Sequence, residues 1–193
     1  MPDLNKQNFN HLKIHTQYSI CEGAIKIDNL KDFCKENKIP CLGLSDTSNL
    51  CGALEFSENI SKVGTQPIIG TQIYFRYEDT NGLLPLIALN EKGYKRIIEL
   101  SSRSYLENDA LSNPHLDIKE LLADTEGVLL ISGTIHGLFG KLFEKGRLEE
   151  IAKIYKILST KFHDNFYLEI QRHGDQNETA FEKFNLDNLL KLK

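Results

Sequence analysis

No Cys-x-x-Cys pair occurs in this chain. Its four cysteines, Cys21, Cys34, Cys41 and Cys51, all fall in the first third. The paired spacing of a structural zinc site is therefore missing, and reduced thiols of a cytosolic protein are the reading that remains. Long apolar runs are lacking too. Nothing approaches the ~20 residues needed to span a bilayer, and residues 1–8 are polar, without the apolar stretch of a signal peptide. A basic field is also missing, since the net charge is −4. Contact with nucleic acid must then come from local patches or from another part of a larger protein. The basic helix positions Lys92, Lys95 and Arg96 read as a solvated face. Neither Gly-x-x-x-x-Gly-Lys-Ser/Thr nor Gly-x-Ser-x-Gly is present, which argues against a P-loop and a nucleophile elbow.

What is present is ordinary globular material. A hydrophobic content of 40% with 26% charged residues is enough for a core, and 193 residues suit one domain or one and part of another. Apolar runs predict strands at 11–14, 41–44, 67–75, 84–89, 127–132 and 166–170. Helical spacing covers 27–37, 49–63, 91–105, 117–124, 148–162 and 177–193. Leu30, Phe33 and Cys34 share a face of the first helix. Leu148, Ile151, Ala152, Tyr155, Leu158 and Phe162 form the clearest stripe in the chain. Residues 79–82 read as a turn, because Asn-Gly tolerates positive φ, and 108–115 as a loop. Strands alternating with helices point to a parallel sheet or barrel. The chain stops inside a helical pattern, and a closed barrel would need one more strand to pair its edge.

In strand–helix barrels chemistry gathers at the carboxyl ends of the strands. His15 ends the first strand, with Glu22 in the loop beyond, and Asp46 ends the second. Gln72 lies in the third, Thr134 and His136 follow the fifth, and His173 follows the sixth. Histidine and carboxylate on one rim suit a divalent metal site of the phosphoesterase kind, with a bridging water as nucleophile. The same residues also admit a plainer reading. His11 and His15 are four apart rather than alternating, Asp46 can cap the following helix, and His173 before Gly174 can be a turn residue.

Several segments together resemble one family. They are Phe9-Asn10-His11-Leu12-Lys13-Ile14-His15-Thr16-Gln17-Tyr18-Ser19, Asp46-Thr47-Ser48-Asn49-Leu50-Cys51-Gly52 and Pro67-Ile68-Ile69-Gly70. Asn90-Glu91-Lys92-Gly93-Tyr94 and Leu168-Glu169-Ile170-Gln171-Arg172-His173-Gly174 continue the series. In this order they resemble the N-terminal polymerase-and-histidinol-phosphatase (PHP) domain of bacterial DNA polymerase III α subunits. The resemblance implies an α/β fold, a distorted (βα)7-type PHP barrel truncated before its last strand. Residues 1–193 would be one PHP domain, the N-terminal fragment of a much longer polymerase chain, with no second domain.

Against the family's metal-binding pattern, Lys13 stands in place of the first histidine of His-x-His. Thr47 replaces a histidine, Gln72 a glutamate, and Thr134 a cysteine or histidine. His15, Glu22, Asp46 and His173 remain as a remnant set. The resemblance implies a part of a DNA-directed DNA polymerase with no catalytic residue in this fragment. Mg2+ belongs to the polymerase domain of the full protein, and no tight Zn2+ or Mn2+ binding is expected here. The implied partners are the proofreading exonuclease subunit, other replicase subunits and, through the full-length protein, DNA, in the cytoplasm and away from membranes. The alternative is a metal-dependent phosphoesterase or 3'-5' exonuclease using His15, Asp46 and His173. His15, Asp46 and His173 are expected to converge on one rim.

Overall fold

The computed structural model describes residues 9–109 and 111–192. The polar first eight residues and Lys193, the end of the last expected helix, lie outside the described residues. The fold is mixed α/β, with a six-stranded sheet that does not close. The chain divides into two compact units, Met1–Thr71 and Gln72–Lys193.

In the first unit, helix α1 spans Ile27–Asn37, strand β1 Cys41–Thr47 and helix α2 Ala53–Ser61. Ile27, Leu30 and Cys34 of α1, Leu42 and Leu44 of β1, and Ala53, Phe56 and Ile60 of α2 bury one another as a core. Lys38 ends α1 in the left-handed conformation that stops a helix. Phe33, expected on the buried face, is exposed. The expected strand 11–14 is instead an irregular segment that touches β1 through the single bridge Ile14–Leu44. Beside it Ile14 N–H donates to Gly43 O at 3.1 Å, Ser45 N–H to Ile14 O at 2.8 Å and Gly43 N–H to His11 O at 2.7 Å. Gly43 allows this approach, since a Cβ there would overlap the Leu12 backbone.

Strand β2, Gln66–Tyr77, carries the chain from the first unit into the second. Next come β3 (Thr80–Ala88), α3 (Glu91–Leu106), β4 (Leu116–Asp117) and α4 (Ile118–Ala123). After them lie β5 (Val128–Ile131), α5 (Leu138–Glu144), α6 (Leu148–Phe162), β6 (Phe166–Tyr167) and α7 (Gln176–Leu192). The sheet order is β1-β2-β3-β5-β6, with β4 beside β2. A two-residue link joins β2 to β3, so these neighbours are antiparallel. β3 and β5 are antiparallel as well, with Leu86 opposite Leu130, whereas β5–β6 and β2–β4 are parallel. The sheet is therefore mixed, not parallel as strand–helix alternation leads one to expect.

The turn is at Glu78 and Asp79, with Glu78 at φ 51° and the pair held by Arg147 and Lys145. Asn81 and Gly82, expected to form it, lie within β3. Gly82 is there for closeness, because a Cβ would overlap the backbone of Leu138. Helix α5 lies where the sequence pattern predicts no element, and β6 stops at Tyr167, three residues short of expectation. On α6, Ile151, Ile154, Tyr155, Leu158 and Phe162 are buried, while Leu148 at the first turn is exposed. Tyr155 lies edge-on to Phe139 and Phe166, and its hydroxyl donates to Asn185 of α7 at 2.9 Å. Burial holds that phenol far above its usual pKa, so it stays neutral.

Candidate functional site

The polar residues singled out by the sequence fall into two groups, one in each unit. His15, Glu22, Asp46 and Thr47 belong to the first with Lys13, and Gln72, Thr134 and His173 to the second.

In the first unit the chain leaves the side of β1 at Thr16 and makes a tight turn. Ser19 N–H donates to Thr16 O at 2.9 Å and Glu22 N–H to Ser19 O at 3.0 Å, with Cys21 at φ 67°. Asp46, near the end of β1, is fully buried and faces into this turn. Its Oδ1 accepts the Thr16 N–H at 2.6 Å and the Ser19 hydroxyl at 2.7 Å. Its Oδ2 accepts the Thr16 hydroxyl at 2.8 Å. A buried carboxylate is costly unless it is met by donors, and these three meet it. Asp46 does not cap the next helix, because α2 starts only at Ala53 with Gly52 as its N-cap.

Around this carboxylate, Thr47 N–H donates to Ser19 Oγ at 3.1 Å and the Thr47 hydroxyl donates to Glu22. Asn49 donates its amide to the carbonyls of Tyr18 and Thr47, each at 2.9 Å. The Tyr18 hydroxyl donates to Glu55 at 2.6 Å, and that bond pushes its pKa up.

In the second unit His173 is bound to the start of α7. Its N–H donates to Glu178 Oε2 and its Nδ1 lies against Oε1, both at 2.8 Å. The His173 ring holds the Glu178 carboxyl below its usual range. Asp175 caps α7, accepting from Asn177 N–H at 2.6 Å. The Thr134 hydroxyl accepts the His136 N–H at 3.1 Å, and Thr134 lines a water-sized cavity with Glu169, Glu178 and Glu182. Gln72 is buried in β2.

A metal cluster needs several convergent anionic or imidazole donors with lone pairs to spare. Among the described residues no three His, Cys, Asp or Glu side chains gather so as to hold an ion. Asp46 gives both oxygens to hydrogen bonds, Glu22 takes the Thr47 hydroxyl, and His173 is engaged by Glu178.

Sequence reasoning missed Thr16 and Ser19, whose hydroxyls carry no pattern, and Glu178. The last was legible, because Asp175-x-x-Glu178 ahead of an apolar run is a helix-start signature.

The chain matches the family model described as PHP domain over residues 11–173. It is 37% identical over 191 residues to DNA polymerase III subunit alpha of Caulobacter vibrioides, covering 94% of this chain and 17% of that protein. The same subunit of Vibrio cholerae is 32% identical, over 95% of this chain and 16% of that one. That of Borreliella burgdorferi is 33% identical, over 90% and 16%. The chain thus spans about one sixth of the length of the curated relatives it matches. A structure reported as that of a metal-dependent phosphoesterase from Bifidobacterium adolescentis superposes with a TM-score of 0.56 at 12% identity. It covers 93% of this chain and 83% of that one, and it shows the fold alone.

Proposed function

This chain belongs to the PHP domain family, and from that premise we propose that it is the N-terminal PHP domain of a DNA polymerase III α subunit. The observation that carries the reading is sequence similarity along nearly the whole chain to that subunit in several bacteria. Residues 1–193 are then one domain at the head of a much longer DNA-directed DNA polymerase of replication. Template-directed nucleotidyl transfer, with its Mg2+, belongs to a polymerase domain outside these residues. The part played here is structural: a scaffold and docking module for the proofreading exonuclease and other replicase subunits. Among the described residues no helix is long and apolar enough to cross a membrane. The reading places the protein in the cytoplasm, where it reaches DNA as the full-length chain.

On this reading His15, Glu22, Asp46 and His173 are what remains of the family's metal-ligand pattern, and Lys13, Thr47, Gln72 and Thr134 replace its lost ligands. The fixed charge of Lys13 opposes a divalent cation, and an amide and two hydroxyls supply no anionic donor. The full-length protein should extend a primed template with Mg2+ and deoxynucleotides, and its His15→Ala variant should do so at nearly the wild-type rate. No extension at all would overturn the polymerase reading. Loss of synthesis in a folded His15→Ala variant would make His15 a working ligand.

The phosphoesterase alternative has its own measurement. Protein purified without chelator should hold no stoichiometric zinc or manganese and release no nitrophenol from a nitrophenyl phosphodiester. Stoichiometric metal together with metal-dependent release would restore that alternative.

A further inference from the structure

We propose that the Asp46 carboxylate is the organising ion of the Thr16–Gly23 turn: an anionic hub that fastens the turn to β1 through hydroxyl and amide donors, with no cation. This rests on the reading that Asp46 binds no metal.

Three observations lead to it. First, Asp46 is fully buried, as are Thr16 and Ser19. A charge so placed persists only where the surrounding groups are aimed at it. Second, the donors come from two points of the turn. Thr16 offers its N–H at 2.6 Å and its hydroxyl at 2.8 Å, and Ser19, three residues on, offers its hydroxyl at 2.7 Å. One anion therefore pins the entry and the middle of the same turn, as a bound cation would by collecting ligands from several segments. Third, the network is reciprocal. The Ser19 oxygen that donates to Asp46 also accepts the Thr47 N–H at 3.1 Å, and the Thr47 hydroxyl closes on Glu22. The backbone on the other side is fixed too, since the Asp46 carbonyl accepts the Thr71 hydroxyl at 2.6 Å.

The arrangement also has a polarity that distinguishes it from a ligand cage. A metal ligand offers lone pairs to a cation and tolerates loss of neighbouring hydroxyls. A hub depends on those hydroxyls. Ser19 and Thr16 are therefore the residues at which the two arrangements differ, and neither supplies a histidine or carboxylate donor.

Amide hydrogen exchange of the full-length protein over residues 16–23 and 45–50 tests this. Wild-type protection should be the same with EDTA as with added Mn2+. Ser19→Ala and Thr16→Val should each speed exchange of the turn amides ~5–20-fold, the size expected when a buried hydrogen bond is lost. Adding Ser19→Ala to Asp46→Ala should bring little further loss, because both remove one interaction. Exchange over α6 should be unchanged, reporting an intact second unit. Should Asp46→Ala fail to fold, Ser19→Ala and Thr16→Val decide alone. Protection that EDTA abolishes would overturn the metal-free reading and the hub together. Protection indifferent to EDTA, and equally indifferent to Ser19→Ala and Thr16→Val, would overturn the hub alone.

Discussion

Gly93→Ala is expected to destabilise the second unit by about 3 kcal/mol or more, although alanine favours a helix over glycine by about 1 kcal/mol. Gly93 lies in the first turn of α3, where its N–H donates to the Asn90 cap at 3.0 Å. A Cβ there would overlap the carbonyl oxygen of Gly127. That oxygen cannot withdraw, because it accepts the Leu89 N–H at 2.8 Å at the end of β3. Gly127 is itself at φ 73°, and a Cβ on it would overlap the Asn90 amide oxygen. The two glycines let the start of α3 lie directly against the approach to β5. Urea denaturation would give the midpoint. A variant as stable as the wild type would show that helix propensity, not this contact, governs the position.

Leu158→Ala should cost about 2–5 kcal/mol, the range for removing a buried leucine and leaving a cavity. Leu158 is fully buried on α6 between Tyr155 and Phe162. Ile157, its neighbour in sequence, points the other way and is 47% exposed. Ile157→Ala should stay within about 0.5 kcal/mol of wild type, as surface substitutions do. Equal losses from the two variants, measured by the same denaturation, would mean that α6 is rotated from the orientation described.

The legible parts of this chain were those in which local pattern and tertiary burial agree. Helix α6 spans Leu148–Phe162, as its spacing dictates, because apolar residues three and four apart find the sheet on one side and water on the other. Its first residue departs from the pattern: Leu148 belongs to the stripe but lies at the helix end, where little covers it. Helix α5 was hidden by its shortness and by Gly140 in its middle, which reads as a breaker. Here Gly140 serves close packing, since a Cβ would overlap the Ile135 backbone. Strand β1 runs on through Ser45, Asp46 and Thr47 because the Ser45 N–H and the Asp46 and Thr47 side chains find partners, and partners are set by tertiary structure. For the same reason Asp46 itself could be singled out from its place after an apolar run, but its donors Thr16 and Ser19 could not. The antiparallel course of β3 is not legible in the sequence because strand–helix alternation says nothing about a two-residue reversal between β2 and β3.

A sheet left open offers unpaired N–H and C=O groups on which other molecules can add strands, the first step towards aggregation or domain swapping. Here the edges at β1 and β6 are poor templates. The seven-residue β1 spends its outer groups on the irregular segment beside it, through the bonds of Gly43 and Ser45 to His11 and Ile14. At the opposite edge β6 has two residues, Phe166 and Tyr167, before the chain leaves the sheet at Leu168. That is shorter than the three to ten residues of an ordinary strand, so an intruding chain would gain almost no ladder. The irregularity of residues 11–16 and the brevity of β6 thus each shorten the ladder that an added strand could form there.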